Sequence, residues 1–359
     1  MKFNALLSAI FMVLLTGCTA QTVCADRYQV MVLGDIHYDG NKYHTSAAKS
    51  ERLIAKRAKN INQWNGNSQA LLAAAAKASA DTAPFVIQLG DIINGDCETV
   101  ELQSDAMKEA FSVVKGYFGN KKLFSVCGNH EYWGPQGSKE AIDKVFVPLL
   151  QKELGNHEKL SGTNYAVRHG KDLYIFYDCR KNGGSEFTRK ILEANADARH
   201  VFFLTHLPMF PCSKGNPGWV VWEFKELIPL LAKHKAIVLC GHSHFWGHHI
   251  YKTENDKLIQ FMISSIGYYW FPGTPMQKYF SSFTEWKKNI NPKYFTKANQ
   301  WSVDNLNFFK NEDFIHYESW KATPSGFVKI EVDGNRVLGH IYTDKSGKPV
   351  KTLVLKDGK

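Results

Sequence analysis

Arg27-Tyr-Gln-Val-Met-Val-Leu-Gly-Asp-Ile-His37 decides how this chain is read. Tyr28 to Leu33 is a short apolar run rich in β-branched residues, bounded by a glycine, which predicts a buried strand. Gly34 allows a tight turn, and Asp35 and His37 follow it immediately. The same arrangement returns downstream. Phe85 to Leu89 precedes Gly90-Asp91-Ile92-Ile93-Asn94-Gly95, and Leu123 to Val126 precedes Gly128-Asn129-His130-Glu131. Val201 to Leu204 precedes Thr205-His206-Leu207-Pro208, and Ala236 to Leu239 precedes Gly241-His242-Ser243-His244.

Between these runs lie stretches of helical composition, near Ser46–Ala80, Glu98–Tyr117, Ser138–Leu154, Ser185–Ala196 and Trp219–His234. Further apolar runs occupy Leu173 to Tyr177 and Leu258 to Ile263. Tyr165 to His169 and His248 to Lys252 are more polar and read as edge strands. Continuous apolar strands alternating with helices predict an α/β sheet covered on its faces. In such sheets ligands bind beyond the carboxyl ends of the strands, where all five polar clusters fall.

Singly each cluster is a weak signal, because a Gly-Asp pair is usually only a turn. Together they offer Asp, Asn and His donors at successive strand ends, an oxygen and nitrogen set suited to manganese, iron or zinc. The set Asp35-x-His37, Gly90-Asp91, Gly128-Asn129-His130-Glu131, His206 and Gly241-His242-x-His244 resembles the calcineurin-like metallophosphoesterase family. The resemblance covers most of the region from Asp35 to His244. It implies a two-sheet β-sandwich flanked by helices, an αββα arrangement, with two divalent metal ions at one edge. It assigns Asp35, His37 and His244 to one metal and Asn129, His206 and His242 to the other, with Asp91 bridging both. It makes His130 the group that protonates the leaving oxygen or stabilises charge, and Glu131 a supporting residue behind the ligands.

The implied chemistry is hydrolysis of a phosphoric ester. Two cations ~3.5–4 Å apart clamp the phosphoryl group and generate a hydroxide nucleophile near neutral pH. Neutral Asn129 and the imidazoles complete such a site without excess negative charge. Proton transfer by His130 is worth ~10²–10⁴-fold. One position departs from the pattern. Many family members carry an acid three residues after the bridging Asp, paired with the catalytic His, and here Asn94 stands there. An amide orients His130 without stabilising its charged form as a carboxylate would, and Asp96 or Glu98 is a candidate replacement. Asn94 and His37 also argue against the purple acid phosphatase subgroup, which has a metal-binding Tyr at the position of Asn94.

Two other functions stay open at this level. One is a non-catalytic binding lipoprotein on the same fold, although every mapped ligand is present. The other is a binuclear metallohydrolase of a non-phosphate substrate. Serine hydrolase chemistry is disfavoured, since no Gly-x-Ser-x-Gly elbow occurs.

The 359 residues, 44% hydrophobic and 22% charged, describe a globular chain rather than a disordered one. The net charge of +10 favours an anionic substrate, and no recognition motif indicates nucleic acid. Met1-Lys2, the apolar stretch Ala5 to Leu15 and Leu15-Thr16-Gly17-Cys18 resemble a bacterial lipoprotein leader. The expectation is export to the cell envelope as a periplasm-facing lipoprotein. Residues 1–17 are its signal, Cys18 the lipid anchor to the membrane and 18–26 a tether. Cleavage after Ala20 is the alternative. Residues 27–267 are expected to form the metallophosphoesterase core. Residues 268–325, dense in Phe, Tyr, Trp and Lys, read as an insert that caps the site, lies on the membrane or packs on the core. Residues 326–359 contain a C-terminal β-hairpin, with Asp333-Gly334-Asn335 as its turn. His248 and His249 read as structural, and Cys127 and Cys240 as small core residues.

Overall fold

The computed structural model describes residues 13–14, 26–44, 51–79, 83–135, 138–155, 159–180, 183–212, 219–266, 275–290, 300–309, 314–321 and 324–358. Cys18, the proposed anchor, and part of the aromatic segment 268–325, including Tyr268 to Phe271, Tyr294 and Phe295, lie outside them.

Among the described residues the strands form two mixed sheets, one of nine strands and one of six. The smaller runs Lys351–Asp357, Arg336–Tyr342, Phe327–Asp333, Arg27–Leu33, Phe85–Gln88, Lys122–Ser125. Its last three strands are parallel, so the loops after Leu33, Gln88 and Ser125 emerge at one edge. The larger sheet has four consecutive parallel strands, Asp172–Tyr177, His200–Thr205, Ile237–Cys240 and Lys257–Met262. Val13–Leu14, inside the segment read as a leader, pairs beside Tyr165–His169.

The apolar runs hide a period of two. Tyr174, Phe176, Phe202, Leu204, Ile237 and Leu239 enter the core shared with Val30, Val32 and Ile87 of the other sheet. Their neighbours Leu173, Ile175, Val201, Phe203 and Val238 point to a second core, under Ile191 and Leu192 of helix Gly184–Ala194 and Leu227 and Leu231 of helix Phe224–Lys233. Successive side chains of a strand face opposite ways, so a strand buried on both faces shows no polar alternation.

Three features differ from expectation. His248 to Lys252 is not an edge: Trp246–Lys252 lies between Lys257–Met262 and Phe314–Trp320. Its buried His249 is satisfied internally, meeting Gln260 Nε2 at 3.1 Å and Ser319 Oγ at 3.2 Å. The C-terminal hairpin gains a third strand and is part of the sheet, with Phe327–Asp333 antiparallel to Arg27–Leu33. The helix expected from Trp219 begins at Phe224, which leaves Trp219 to Glu223 as a loop. Glu223 anchors that loop by accepting from the Gly183 N–H at 2.8 Å and the Ser185 N–H at 2.5 Å.

The described part of the aromatic segment packs. Phe280, Phe283, Trp286, Leu306, Phe309 and Tyr317 join the second core over Phe210 and Tyr251. The described cysteines Cys97, Cys127, Cys179, Cys212 and Cys240 are buried free thiols. No helix among the described residues is long and apolar enough to cross a membrane.

Candidate metal centre

The five strand-end loops meet at the edge where the parallel strands of both sheets terminate. Backbone bonds lock them to one another. The N–H groups of Ile36 and His37 donate to the Asp91 carbonyl at 3.0 and 2.9 Å, and the Gly241 N–H donates to the His206 carbonyl at 3.1 Å. The glycines permit the approach. A Cβ on Gly128 would stand 2.2 Å from Asp91 Oδ1, and Gly90 adopts φ +86° with no room for a Cβ beside His206. The backbone of the residues that follow is itself turned left-handed: His37, Asp91, His242 and His244 have φ of +50°, +52°, +68° and +58°. Such left-handed conformations cost about 1–3 kcal/mol each and gather where function requires a particular aim.

The resulting cluster brings all seven expected ligands together. The donor atoms of Asp35, His37 and His244 lie within 4.8 Å of one another, and so do those of Asp91, His206 and His242. His37 Nε2 faces His244 Nε2 at 3.0 Å, and His244 Nε2 lies 3.4 Å from Asp35 Oδ1. Asp91 Oδ2 stands between the groups, 3.9 Å from His37 Nε2 and 3.2 Å from His206 Nε2. Asn129 Oδ1 is 3.0 Å from His206 Nε2, and His242 Nδ1 is 3.1 Å from the same atom.

These residues fit a cation pair on the chemistry of the donors. His206 Nδ1 lies 2.8 Å from the Leu89 carbonyl, which can only accept, so Nδ1 carries the proton. The lone pair on Nε2 therefore faces a carboxylate oxygen, an amide oxygen and another ring nitrogen. Acceptors converge in this way around a cation. Without a metal, a proton takes the place. Burial lowers the His206 pKa, but the Asp91 and Asp35 carboxylates overcome it and raise the imidazole to about 9. Burial would raise the Asp91 carboxyl, yet His206, His130 and His37 hold it well below the usual carboxylate range. Burial, with His130 and His244 alongside, keeps His37 well below the ordinary imidazole value.

His130 lies against the cluster, its ring 4.6 Å from that of His37 and its Nε2 3.8 Å from Asp91 Oδ2. Its backbone N–H donates to Asp91 Oδ1 at 2.8 Å. Its Nδ1 donates to the backbone carbonyl of Asn94, not to the side-chain amide. The Asn94 amide instead donates to Asp39 Oδ2 at 3.1 Å, and Asp39 Oδ1 holds His44 Nε2 at 2.7 Å. The partner of His130 Nδ1 is thus the Asn94 carbonyl rather than Asp96 or Glu98, and the carboxylate that Asn94 itself meets is Asp39. Glu131 is buried behind the ligands. It accepts from the N–H groups of Asp91 at 2.9 Å, Gly128 at 2.6 Å and Ile93 at 3.2 Å. Burial and the nearby Asp91 raise its carboxyl to about 7.

Sequence reasoning missed Asp39 and His44, which carry no strand-end signal of their own. It also missed Arg180, Trp219 and Trp222, which line a cavity beside Asn129. Trp219 stacks on His242 with ring centroids 5.1 Å apart, and no motif announces that contact.

Comparison with known proteins places this geometry. No curated protein matches the chain. Among solved structures it is similar to purple acid phosphatase PPD1 from seeds of yellow lupin (Lupinus luteus), with TM-score 0.56 and 14% identity over 91% of this chain. The chain spans about half of that protein, 53% of its length. It is also similar to PhoD, with TM-score 0.50 and 10% identity, over 92% of this chain and 68% of that one. Likeness at these identities is likeness of fold. The model of the calcineurin-like phosphoesterase family matches residues 28–245, the stretch that carries every residue of the cluster, and the chain belongs to that family.

Proposed function

We propose that this protein hydrolyses phosphoric esters with two divalent cations, one held by Asp35, His37 and His244 and one by Asn129, His206 and His242, with Asp91 shared. The observation that carries the reading is the His206 Nε2 lone pair, fixed by the Leu89 carbonyl and surrounded by acceptors. When bound, the cations supply Lewis acidity toward the phosphoryl oxygens and activate the attacking water.

The chain's own residues do the rest. The Asn94 carbonyl accepts a hydrogen bond from the Nδ1–H of His130, so Nε2 is the atom left to face the substrate. A proton held at His130 Nε2 can hydrogen-bond a phosphoryl oxygen and then pass to the departing oxygen. Glu131 fixes the backbone of Asp91 and Gly128 and so keeps the shared carboxylate aimed. The indoles of Trp133 and Trp219 lie against His130 and His242 and shield their imidazoles from water.

The test uses metal-stripped protein with Mn²⁺, Zn²⁺ or Fe²⁺ returned singly, assayed on a chromogenic phosphomonoester and on its bis-ester. Turnover that needs a metal and is inhibited by vanadate supports the reading. Metal-free protein that takes up no cation would overturn it. Attachment of the exported chain through lipidated Cys18 is proposed on residues Met1 to Cys18 alone. Cys18→Ser should move the protein from the membrane fraction to the soluble one.

A further inference from the structure

A cavity of about 310 Å³ opens beside the cluster, and its lining differs from that of the cluster. Its walls are Asn129, Leu207, Trp219, Trp222 and Arg180. Asn129 ties the inner end to the site, and Leu207 directly follows His206. Trp219 is fixed on the His242 ring at an interplanar angle of 22°. Trp222 is 49% exposed, an unusual state for an indole anchored in a loop that Glu223 pins on both sides.

Arg180 also lines the cavity. Its guanidinium carbon lies 5.5 Å from the centre of the Tyr132 ring and 6.0 Å from that of Trp222. The nearest acid in sequence, Asp178, is occupied. Its Oδ2 accepts from the hydroxyls of Tyr132 at 2.5 Å and Thr163 at 2.6 Å, and its Oδ1 from the Arg180 backbone N–H at 3.0 Å. Among the described residues no carboxylate pairs with the Arg180 side chain. A guanidinium held by ring faces keeps its in-plane N–H groups for an anion.

We propose that this cavity is the leaving-group subsite and that it takes a planar aromatic group bearing a second anion, such as a carboxylate or a phosphate. The ring lies against Trp219 and Trp222, and Arg180 grips the anion. Indole faces stack on flat rings whatever their pattern of hydrogen-bonding groups, and a volume near 300 Å³ suits one substituted ring system. The inference rests on the phosphoesterase reading for the direction in which the substrate lies.

Three probes test it on the metal-loaded protein: para-nitrophenyl phosphate, the same ester carrying a ring carboxylate, and glycerol phosphate. The wild type should favour the carboxylated ester over its parent by roughly tenfold or more in kcat/KM, the scale of a charge-assisted contact. Arg180→Met should bring that ratio to near one, through KM. Trp222→Ala should lower both aryl esters relative to glycerol phosphate. A merely structural role for Arg180 would lower all three together and leave the ratio in place, which would overturn the proposal, as would the absence of any preference in the wild type. A second readout needs no turnover. The carboxylated nitrophenol should quench tryptophan fluorescence in the wild type, and Arg180→Met should weaken that binding by a similar factor. Quenching that depends on Arg180, without hydrolysis of any ester, would retire the phosphoesterase reading and keep the subsite. Hydrolysis of all three esters with no quenching would do the reverse.

Discussion

The edge that carries Asp35, Asp91 and His206 and the outer face that carries Phe283, Trp286 and Tyr317 are equally buried, but they use burial differently. At the edge, polar atoms of like character are forced together on backbone turned into left-handed conformations. On the outer face, aromatic rings stack and tilt at ordinary contact, as Phe283 and Trp286 do at 5.0 Å and 14°. One region stores strain to hold an aim, and the other contributes stability through apolar area. Substitutions at the edge should therefore remove activity and leave folding intact, and substitutions on the face should do the opposite.

The largest effect expected is at Asp91. Asp91→Asn keeps the shape but removes the shared charge, and should lower kcat by roughly 10³-fold or more, the scale of losing a preorganised electrostatic group. Metal content by mass spectrometry should fall with it, while the thermal midpoint stays close to that of the metal-free wild type. Trp286→Ala is the counterpart on the face. A fully buried indole leaves a cavity worth about 3–5 kcal/mol, read by urea denaturation, and the surviving folded fraction should turn over normally. If Trp286→Ala reduced kcat per folded molecule, the separation between the two regions would fail.

Next comes His130→Ala, expected to lower kcat by ~10²–10⁴-fold with both cations retained. Esters with poor leaving groups should suffer most, since they need the proton most. Equal losses across leaving groups would reassign His130 to substrate positioning. A smaller effect belongs to pH. Burial and His316 lower His248 from 6.5 to about 4. The unfolded chain thus binds this proton more readily than the folded one, and stability should decline as pH falls from about 6.5 to about 4. The loss at this one residue is up to about 3 kcal/mol, and His248→Gln should flatten the dependence of the urea midpoint over that window. Smallest of all is Ile315→Ser, at a side chain 62% exposed on strand Phe314–Trp320, which should shift stability by less than about 0.5 kcal/mol.

The same contrast explains what the sequence disclosed. The edge was legible because each residue of the cluster follows a strand and a turn within a few residues, as in Leu33-Gly34-Asp35. The strands themselves were legible as apolar runs. What depended on distant partners was not. The interior place of Trp246–Lys252 comes from Phe314–Trp320, more than sixty residues on, and the strand read as an edge because the partners of His249, Gln260 and Ser319, lie on other strands. The role of Asn94 was expected from its amide, but a backbone carbonyl does the work, and a carbonyl is present at every position. Arg180, Trp219 and Trp222 converge from two loops that share no motif.

The pairing of Phe327–Asp333 with Arg27–Leu33 joins an early strand to a late one, and it sets an order on synthesis. The strand that delivers Asp35 and His37 lies in the interior of its sheet, so one of its edges stays open until residue 333 has been made. Until then that edge presents unpaired N–H and C=O groups. A strand made early is thus among the last to be paired on both edges, and a ribosome that stopped before Phe327 would release a chain with that edge still open.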